Sequence, residues 1–202
     1  MHSTVAIVPL KALAGAKARL APELDGHARR ELVAWMLHRV VAACLATAEI
    51  GEVLAVVGDT DGEALARAAG ATVLREDAPG LRQALALADA HLAGHGSTLV
   101  VAADLPLVQP GDLAAVLAAA PPGPCVVVAP TADGGTGALL RRPPGVIAPA
   151  YGAGSAEAHL ALARAAGVAA VRVDVARLSL DVDTPSQLAA LAERFPPGTP
   201  GA

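Results

Sequence analysis

The sequence predicts an α/β protein, a three-layer, Rossmann-like domain in which helices cover both faces of a mostly parallel central sheet. Two observations support this fold class. Short, continuously apolar segments alternate along the chain with longer segments rich in Ala and Leu, as expected when strands alternate with helices. The apolar segments also lack the alternation of a sheet with one wet face, so both faces must be covered. With 202 residues and 54% hydrophobic content, the chain suits a single domain over residues 1–195.

Seven strands are predicted where β-branched and other apolar residues concentrate. They cover residues 4–9 (TVAIVP), 53–57 (VLAVV), 72–75 (TVLR), 97–102 (STLVVA), 124–129 (PCVVVA), 136–140 (TGALL) and 168–174 (VAAVRVD). Helices are predicted over residues 27–47, 60–69, 80–93, 110–119, 155–166 and 184–194. The first helix shows apolar residues at helical spacing, namely Leu32, Trp35, Met36, Val40 and Leu45. The Pro/Gly-rich residues 196–202 predict a disordered tail.

Composition argues against several classes of function. Aromatic residues make up 1% of the chain, too few for the stacking platforms that bind single-stranded nucleic acid. The net charge is −4 and no block of Lys and Arg occurs, so no nucleic-acid partner is expected. No apolar run is long enough to span a membrane, and the N-terminus lacks a basic leader. Cys44 and Cys125 lie in apolar runs and predict buried, reduced thiols, so a cytoplasmic protein without a membrane partner is expected.

Two aspartates separated by one residue, Asp181 and Asp183, follow the last predicted strand. Residues i and i+2 of a strand point to the same face, roughly 7 Å apart at Cα, so both carboxylates can face one cation. A simpler interpretation explains part of the segment, because Thr184 and Gln187 have the spacing of a helix capping box. Capping does not account for Asp181, whose apolar neighbours would make an unpaired charge costly to bury.

A third aspartate, Asp104, follows the uncharged strand TLVVAA and precedes Leu105 and Pro106. An Asp turn after a strand is the ordinary alternative. Three carboxylates at two strand ends, with a basic loop elsewhere, instead favour a Mg²⁺ site for a phosphorylated ligand. Mg²⁺ binds few carboxylates, keeps several waters and lets substrate phosphates complete its shell.

The basic loop VPLKALAGAKARL follows the first strand and supplies Lys11, Lys17 and Arg19. Its small residues let the backbone approach a ligand, and its cations can hold a triphosphate and offset the charge on leaving pyrophosphate. A solvated loop with ordinary lysines is the alternative. The loop is neither a Walker A motif nor a GxGxxG motif, so a nicotinamide site is disfavoured.

The glycine-rich turn YGAGSAEAH (151–159) opens a predicted helix, with Ser155 as its expected N-cap. Free N–H groups at such a turn can bind an anion, although a plain capped helix explains the pattern too. The segment GGTG (134–137) adds the Thr136 hydroxyl. His159 lies one helical turn after Ser155, but no G-x-S-x-G elbow is present, so His159 is interpreted as structural or as an outer contact to the substrate.

Together these segments resemble the guanylyltransferases of coenzyme F-420 biosynthesis, which act on 2-phospho-L-lactate or phosphoenolpyruvate. The resemblance spans residues 5 to about 190 and follows the family's order of motifs. It is carried by IVPLKALAGAKARL (7–20), DAPGLRQAL (77–85), VAADLPLV (101–108), GGTGALL (134–140), YGAGSAEAH (151–159) and LSLDVDTPSQL (178–188). The resemblance implies a nucleotidyltransferase fold related to the A-type glycosyltransferases.

The resemblance also implies a reaction, in which the phosphate of a three-carbon acid attacks the α-phosphorus of GTP and pyrophosphate leaves. It implies Mg²⁺, as two ions, bound by Asp104, Asp181 and Asp183. It implies that Thr136, Gly152 and Ser155 hold the acid. The implied nucleotide-binding residues are Pro9, Leu10, Lys11, Lys17, Arg19, Gly80 and Asp104, of which Lys11, Lys17 and Asp104 are the expected catalytic residues. The partners are then GTP and a phospho-acid, and an Ala-rich helix face is compatible with a homodimer.

The sequence departs from the family pattern at four positions, where Ala18 replaces Ser, Arg82 and Gly137 replace Asn, and Ala156 replaces Phe. The lost amides leave guanine selection open. Ala156 leaves the acid open among phosphoenolpyruvate, 2-phospholactate and 3-phosphoglycerate. The competing hypotheses are a molybdenum-cofactor or sugar-phosphate nucleotidyltransferase of the same fold, a D-x-D glycosyltransferase, and a non-catalytic nucleotide-binding regulator. The first of these typically begins with an L-A-G-G-x-x-x-R-M loop, which this sequence lacks.

Overall fold

Seven strands form one sheet in the computed structural model, which describes residues 4–13, 15–76 and 80–194. The strands are β1 Thr4–Leu10, β2 Ile50–Val57, β3 Thr72–Arg75, β4 Ser97–Val101, β5 Cys125–Pro130, β6 Thr136–Arg142 and β7 Ala169–Arg172. All seven strands predicted from the sequence are therefore present. The expected tail at 196–202 lies outside the described residues, as do residue 14 of the basic loop and residues 77–79 of the motif DAPGLRQAL.

The strand order is β3-β2-β1-β4-β6-β5-β7, and β6 alone among these strands runs against its neighbours. The sheet is mostly parallel, as predicted. The chain places β2 and β3 on one side of β1 and β4 on the other, so the strand order reverses at β1. Ligands of open α/β sheets bind outside the carboxyl ends of the strands at such a reversal.

Six helices cover the two faces of the sheet in the described part of the chain. They are α1 Gly26–Leu45, α2 Thr60–Ala68, α3 Leu81–His91, α4 Pro110–Ala118, α5 Ser155–Ala165 and α6 Pro185–Arg194. Buried residues of α1, α2, α4 and α6 form one core, and those of α3 and α5 form the other. In β1, Ala6 and Val8 face the first core while Val5 and Ile7 face the second. The predicted three-layer arrangement is confirmed.

Helix ends agree with the sequence in one case and differ in another. At the start of α6, the side-chain oxygen of Gln187 accepts from the Thr184 backbone amide at 2.9 Å. The Thr184 hydroxyl accepts from the Gln187 backbone amide at 3.4 Å, so the capping box is confirmed. The prediction that Ser155 caps α5 is wrong. Gly154, with φ of 69°, takes the cap position, because a left-handed backbone suits glycine. The Ser155 hydroxyl is thereby released for a different partner.

Two further expectations concern burial. Cys44 and Cys125 are buried and free, as the apolar runs around them predict. None of the helices in the described ranges is long and apolar enough to cross a membrane.

Candidate active site

The residues predicted to bind ligands collect at the carboxyl edge of the sheet. Lys11 directly follows β1, and Asp104 lies three residues beyond the end of β4. Thr136 begins β6, and because β6 is antiparallel to β4, its first residue lies at this same edge. Segments far apart in the sequence therefore supply one cleft.

Asp181 and Asp183 reach this cleft by a route that the sequence did not indicate. They do not end a strand, so that prediction is wrong: β7 stops at Arg172, and residues 180–183 carry no strand pairing. The Val182 amide instead donates to the backbone oxygen of Asp104 at 3.2 Å. This bond fixes the segment between the two aspartates against the loop that follows β4.

Lys17 joins two of the three aspartates. Its Nζ lies 2.6 Å from Oδ2 of Asp104 and 3.5 Å from Oδ1 of Asp183, and its side chain is only 10% exposed. Lys17 also has a left-handed backbone, with φ of 53°. Such a conformation costs a non-glycine residue of order 1–3 kcal/mol and persists where the surroundings fix it, which is common at functional sites. The basic loop is thus folded so that one ammonium group lies between carboxylates.

Arg19 contacts the same cluster from outside. Its Nη1 donates to Oδ2 of Asp183 at 3.0 Å, but its side chain is 74% exposed. Exposed ion pairs contribute little because water and salt screen them. Lys17 and Arg19 therefore share Asp183 while differing sharply in burial.

The pKa of Asp181 is raised by burial and by neighbouring carboxylates. Burial, and then the negative charges of Asp104 and Asp133, raise the pKa of Asp181 to about 6. Nε2 of Gln187 donates to Oδ1 of Asp181 at 2.9 Å. The sequence indicated Gln187 only as a capping residue, so its second role as a clamp on Asp181 was missed. The cleft has more negative charge than the Lys17 ammonium alone offsets.

The carboxylates of Asp104, Asp181 and Asp183 are the kind of ligand that Mg²⁺ prefers. Among the residues that the structure describes, no three acidic, His or Cys side chains are gathered closely enough to hold an ion by themselves. Mg²⁺ does not need such a closed set, because one or two carboxylates with water and substrate phosphates satisfy it. Asp104, Asp181 and Asp183 offer only hard oxygen donors, on segments joined by the Val182 bond. Their excess negative charge is what a divalent cation would relieve.

A cavity of about 340 Å³ opens beside β1, at the start of α3. It is lined by Lys11, Leu81, Arg82, Gln83, Pro149, Tyr151 and Gly152. Two predicted ligand-binding residues, Lys11 and Gly152, thus face one space. Arg82, which departs from the family pattern, adds a second cation. Gly80 precedes α3 with φ of 145°, a conformation that favours glycine.

Thr136 and Ser155 form a buried hydroxyl pair next to Gly152, which lines this cavity. Their oxygens are 2.9 Å apart, and the two residues are 6% and 1% exposed. The Ser155 amide also donates to the Gly152 carbonyl at 3.1 Å. The three residues predicted to hold the acid are therefore directly connected, with Nδ1 of His159 3.1 Å from the Thr136 hydroxyl.

Packing explains the glycine at position 137. An ideal Cβ there would lie 2.5 Å from the backbone oxygen of Leu178, closer than real Cβ contacts allow. The 3₁₀ helix Ala176–Leu178 therefore approaches β6 where a side chain would otherwise stand. The close backbone of Leu178 therefore explains why this chain has glycine here and lacks the side-chain amide of the family's Asn.

The fold is that of the nucleotide-diphospho-sugar transferase type. The chain is similar to the solved structure of a protein from Desulfovibrio desulfuricans G20 described as a nucleotide-diphospho-sugar transferase. The TM-score is 0.74 at 16% identity, covering 98% of this chain and 90% of that one. At this identity the likeness shows the fold alone.

The chain belongs to the family of CofC-like guanylyl transferases, whose model matches residues 4–193. It is 42% identical over 196 residues to the phosphoenolpyruvate guanylyltransferase of Rubrobacter xylanophilus, covering 94% of this chain and 93% of that one. It is 36% identical over 198 residues to the enzyme of the same name from Sphaerobacter thermophilus, covering 97% and 96%. The predicted family and enzyme class, a guanylyltransferase, are confirmed.

Proposed function

We propose that this guanylyltransferase transfers GMP from GTP to the phosphate of phosphoenolpyruvate, in coenzyme F-420 biosynthesis. One juxtaposition supports the proposal above all: the Lys17–Asp104 pair and the Thr136–Ser155 pair both belong to the carboxyl edge of the sheet. The relatives named phosphoenolpyruvate guanylyltransferase match over more than nine-tenths of both chains. We place the reaction in the cytoplasm, where buried free thiols stay reduced.

In the proposed step, an oxygen of the acceptor phosphate bonds to the α-phosphorus of GTP. The bond between that phosphorus and the oxygen bridging to the β-phosphorus breaks, and pyrophosphate leaves with the electron pair. The attacking oxygen is an anion near neutral pH, so no strong general base is required. Catalysis then consists mainly of positioning and charge stabilisation.

We assign the nucleotide phosphates to the basic loop and the strand end before it. Pro9 and Leu10 are the last residues of β1, and they direct Lys11 to the edge of the sheet. Lys17 is already oriented by Asp104 and offers a preorganised positive charge. Its attraction for the phosphates is stronger where water is excluded. Arg19, being exposed, contributes a weaker attraction at the entrance.

Mg²⁺, as two ions, is the cofactor that we infer, with Asp104, Asp181 and Asp183 as its ligands. When bound, it would neutralise the reacting phosphates and align the attacking and leaving oxygens. The protein's own contribution is to hold these carboxylates in place. The Val182 amide fixes their segment, and Gln187 orients the Asp181 carboxylate.

The acid is assigned to the other end of the cleft. The acceptor carries two anionic groups, a carboxylate and a phosphate. The hydroxyls of Thr136 and Ser155, next to Gly152, offer hydrogen bonds to one of them. Lys11 and Arg82 line the neighbouring cavity and offer positive charge to phosphate groups.

One assay tests this function directly. GTP, ATP and CTP are each combined with phosphoenolpyruvate, 2-phospho-L-lactate, 3-phosphoglycerate and a sugar 1-phosphate, in the presence of Mg²⁺, and pyrophosphate is measured. We expect the pair of GTP and phosphoenolpyruvate to give the highest kcat/KM. Faster release with the sugar 1-phosphate, or none with any acid, would contradict the proposal.

Ser155→Ala is expected to raise the KM for the acid about tenfold or more, since a hydrogen bond to a charged group contributes roughly 1.5–3 kcal/mol. The KM for GTP should change far less, because Ser155 is assigned to the acid. Steady-state kinetics with each substrate varied in turn measures both constants.

The chain offers a matched control for this variant. Thr4 and Ser97 form a second buried hydroxyl pair, also 2.9 Å apart, at the opposite edge of the sheet. Ser97→Ala removes the same kind of bond far from the cleft and should leave both KM values near those of the parent. An unchanged acid KM in Ser155→Ala would place the acid elsewhere.

A further inference from the structure

A buried polar chain continues inward from the hydroxyl pair to His159. His159 is 0% exposed and lies on α5 one turn beyond Ser155. Its Nδ1 is 3.1 Å from the Thr136 hydroxyl, and its Nε2 is 2.8 Å from the backbone nitrogen of Ala150. Both ring nitrogens of a fully buried imidazole are therefore bonded.

These contacts fix the position of the imidazole proton. The Ala150 amide can only donate, so Nε2 of His159 must accept and carries no hydrogen. Burial, and then the positive charge of Arg141, lower the pKa of His159 to about 4, so the ring is neutral at physiological pH. A neutral ring carries one proton, which is therefore on Nδ1. Nδ1–H donates to the Thr136 hydroxyl.

The ring's surroundings reinforce this state. The charged group that lowers its pKa, Arg141, is 0% exposed and forms two 2.6 Å bonds with Asp89. The other titratable group against the ring is Tyr151, whose ring meets that of His159 edge-on at 5.0 Å. Burial raises the pKa of Tyr151, so it stays neutral. No carboxylate is bonded to the ring within the described residues, so nothing there favours the imidazolium.

The tautomer decides what the hydroxyl pair can offer a ligand. Thr136 and Ser155 carry two hydroxyl hydrogens, and one is used in the bond between them. Because Nδ1 donates, the second hydrogen is free. If Nδ1 were unprotonated, it would accept a hydrogen bond from the Thr136 hydroxyl. Ser155 would then donate to the Thr136 oxygen, and no hydroxyl hydrogen would remain for a ligand. A carboxylate or phosphate is an acceptor only, so it requires the free hydrogen.

We propose that His159 is a positioning residue: held as the Nδ1–H tautomer by the Ala150 amide, it keeps one hydroxyl hydrogen of Thr136 and Ser155 available for the anionic acceptor substrate. The inference rests on the proposed function, in which this pair holds the acid. The bond from Ala150 also ties His159 to the cavity wall, because Ala150 immediately precedes Tyr151 and Gly152, which line the cavity.

Two variants separate this role from packing. In His159→Asn, the side-chain amide nitrogen takes the place of Nδ1 and still donates to Thr136, while the acceptor for Ala150 is lost. In His159→Gln, the side-chain amide oxygen takes the place of Nε2 and accepts from the Ala150 amide, while the donor to Thr136 is lost. We expect the acid KM to rise about tenfold in His159→Gln, as for a lost bond to a charged group, and clearly less in His159→Asn. The KM for GTP should be similar in both.

A spectroscopic measurement on the parent protein is independent of variant folding. Long-range ¹H–¹⁵N spectra of the imidazole should show a protonated Nδ1 and an unprotonated Nε2 for His159 between pH 6 and 8. An Nε2–H spectrum overturns the inference, whatever the variants do. Equal acid KM values in the two variants, or a larger rise in His159→Asn, also overturn it. Failure of the proposed function is distinct, because the parent protein would then show no turnover with GTP and any of the acids.

Discussion

Asp104→Asn is expected to lower the rate of pyrophosphate release by roughly 10²-fold or more, the effect of removing one preorganised electrostatic group from an active site. Asn keeps the shape and one oxygen but removes the charge that holds Lys17 at 2.6 Å. It also removes a proposed Mg²⁺ ligand. The rate is measured at saturating GTP and phosphoenolpyruvate across Mg²⁺ concentrations, and circular dichroism checks the fold.

Asp133→Asn is the matched control for this change. Asp133 is close enough to raise the pKa of Asp181, but its Oδ1 is occupied by the Thr131 hydroxyl at 2.6 Å and the Gly135 amide at 3.0 Å. Asn retains an oxygen there and removes one charge from the same cleft. We expect a much smaller loss of rate than in Asp104→Asn. Equal losses would show that net charge matters rather than Asp104, and equal rates of parent and Asp104→Asn would remove Asp104 from the site.

The sequence predicted the strands well because their burial on both faces requires continuous apolar runs. It did not predict their directions. A run such as TGALL is apolar whichever way it points, so the reversal of β6 left no local signal. That reversal places Thr136, the first residue of β6, at the edge where Lys11 follows β1. The sequence identified Thr136 by resemblance, and tertiary pairing explains its place.

The aspartate pair shows the opposite situation, in which a residue assignment was made for an incorrect local reason. Strand geometry suggested that Asp181 and Asp183 face one cation, but the strand ends at Arg172. What holds them is the backbone bond from Val182 to Asp104. Backbone amides carry no sequence signature, so such a contact is invisible before the fold is known. The same reason hid the Ala150 amide that accounts for His159.

Ser155 illustrates a conflict between local and tertiary preferences. Serine before a helical pattern predicts an N-cap, yet Gly154 takes that position. The hydroxyl of Ser155 bonds to Thr136 instead. A glycine able to adopt a positive φ was available one residue earlier, so the serine side chain could be used in the cleft.

Lys17→Met is expected to lower kcat/KM by roughly 10²-fold or more, because the Lys17 ammonium lies between two carboxylates and its side chain is only 10% exposed. Met has nearly the same length and the same backbone preference, so the strain at φ of 53° is retained while the charge is lost. Asp104 and Asp183 then face the anionic nucleotide without their shared ammonium. Both a lower kcat and a higher KM for GTP are therefore expected from steady-state kinetics.

Arg19→Gln provides the comparison that isolates burial. Arg19 and Lys17 both contact Asp183, at 3.0 and 3.5 Å, but their side chains are 74% and 10% exposed. Salt and water screen the exposed pair, so Arg19→Gln should raise the KM for GTP only a few-fold, and this loss should shrink as ionic strength rises. The Lys17→Met loss should depend less on salt, because the side chains of Lys17 and Asp104 are only 10% and 30% exposed. If the two variants lose activity equally and with the same salt dependence, Lys17 acts only through the net charge of the cleft.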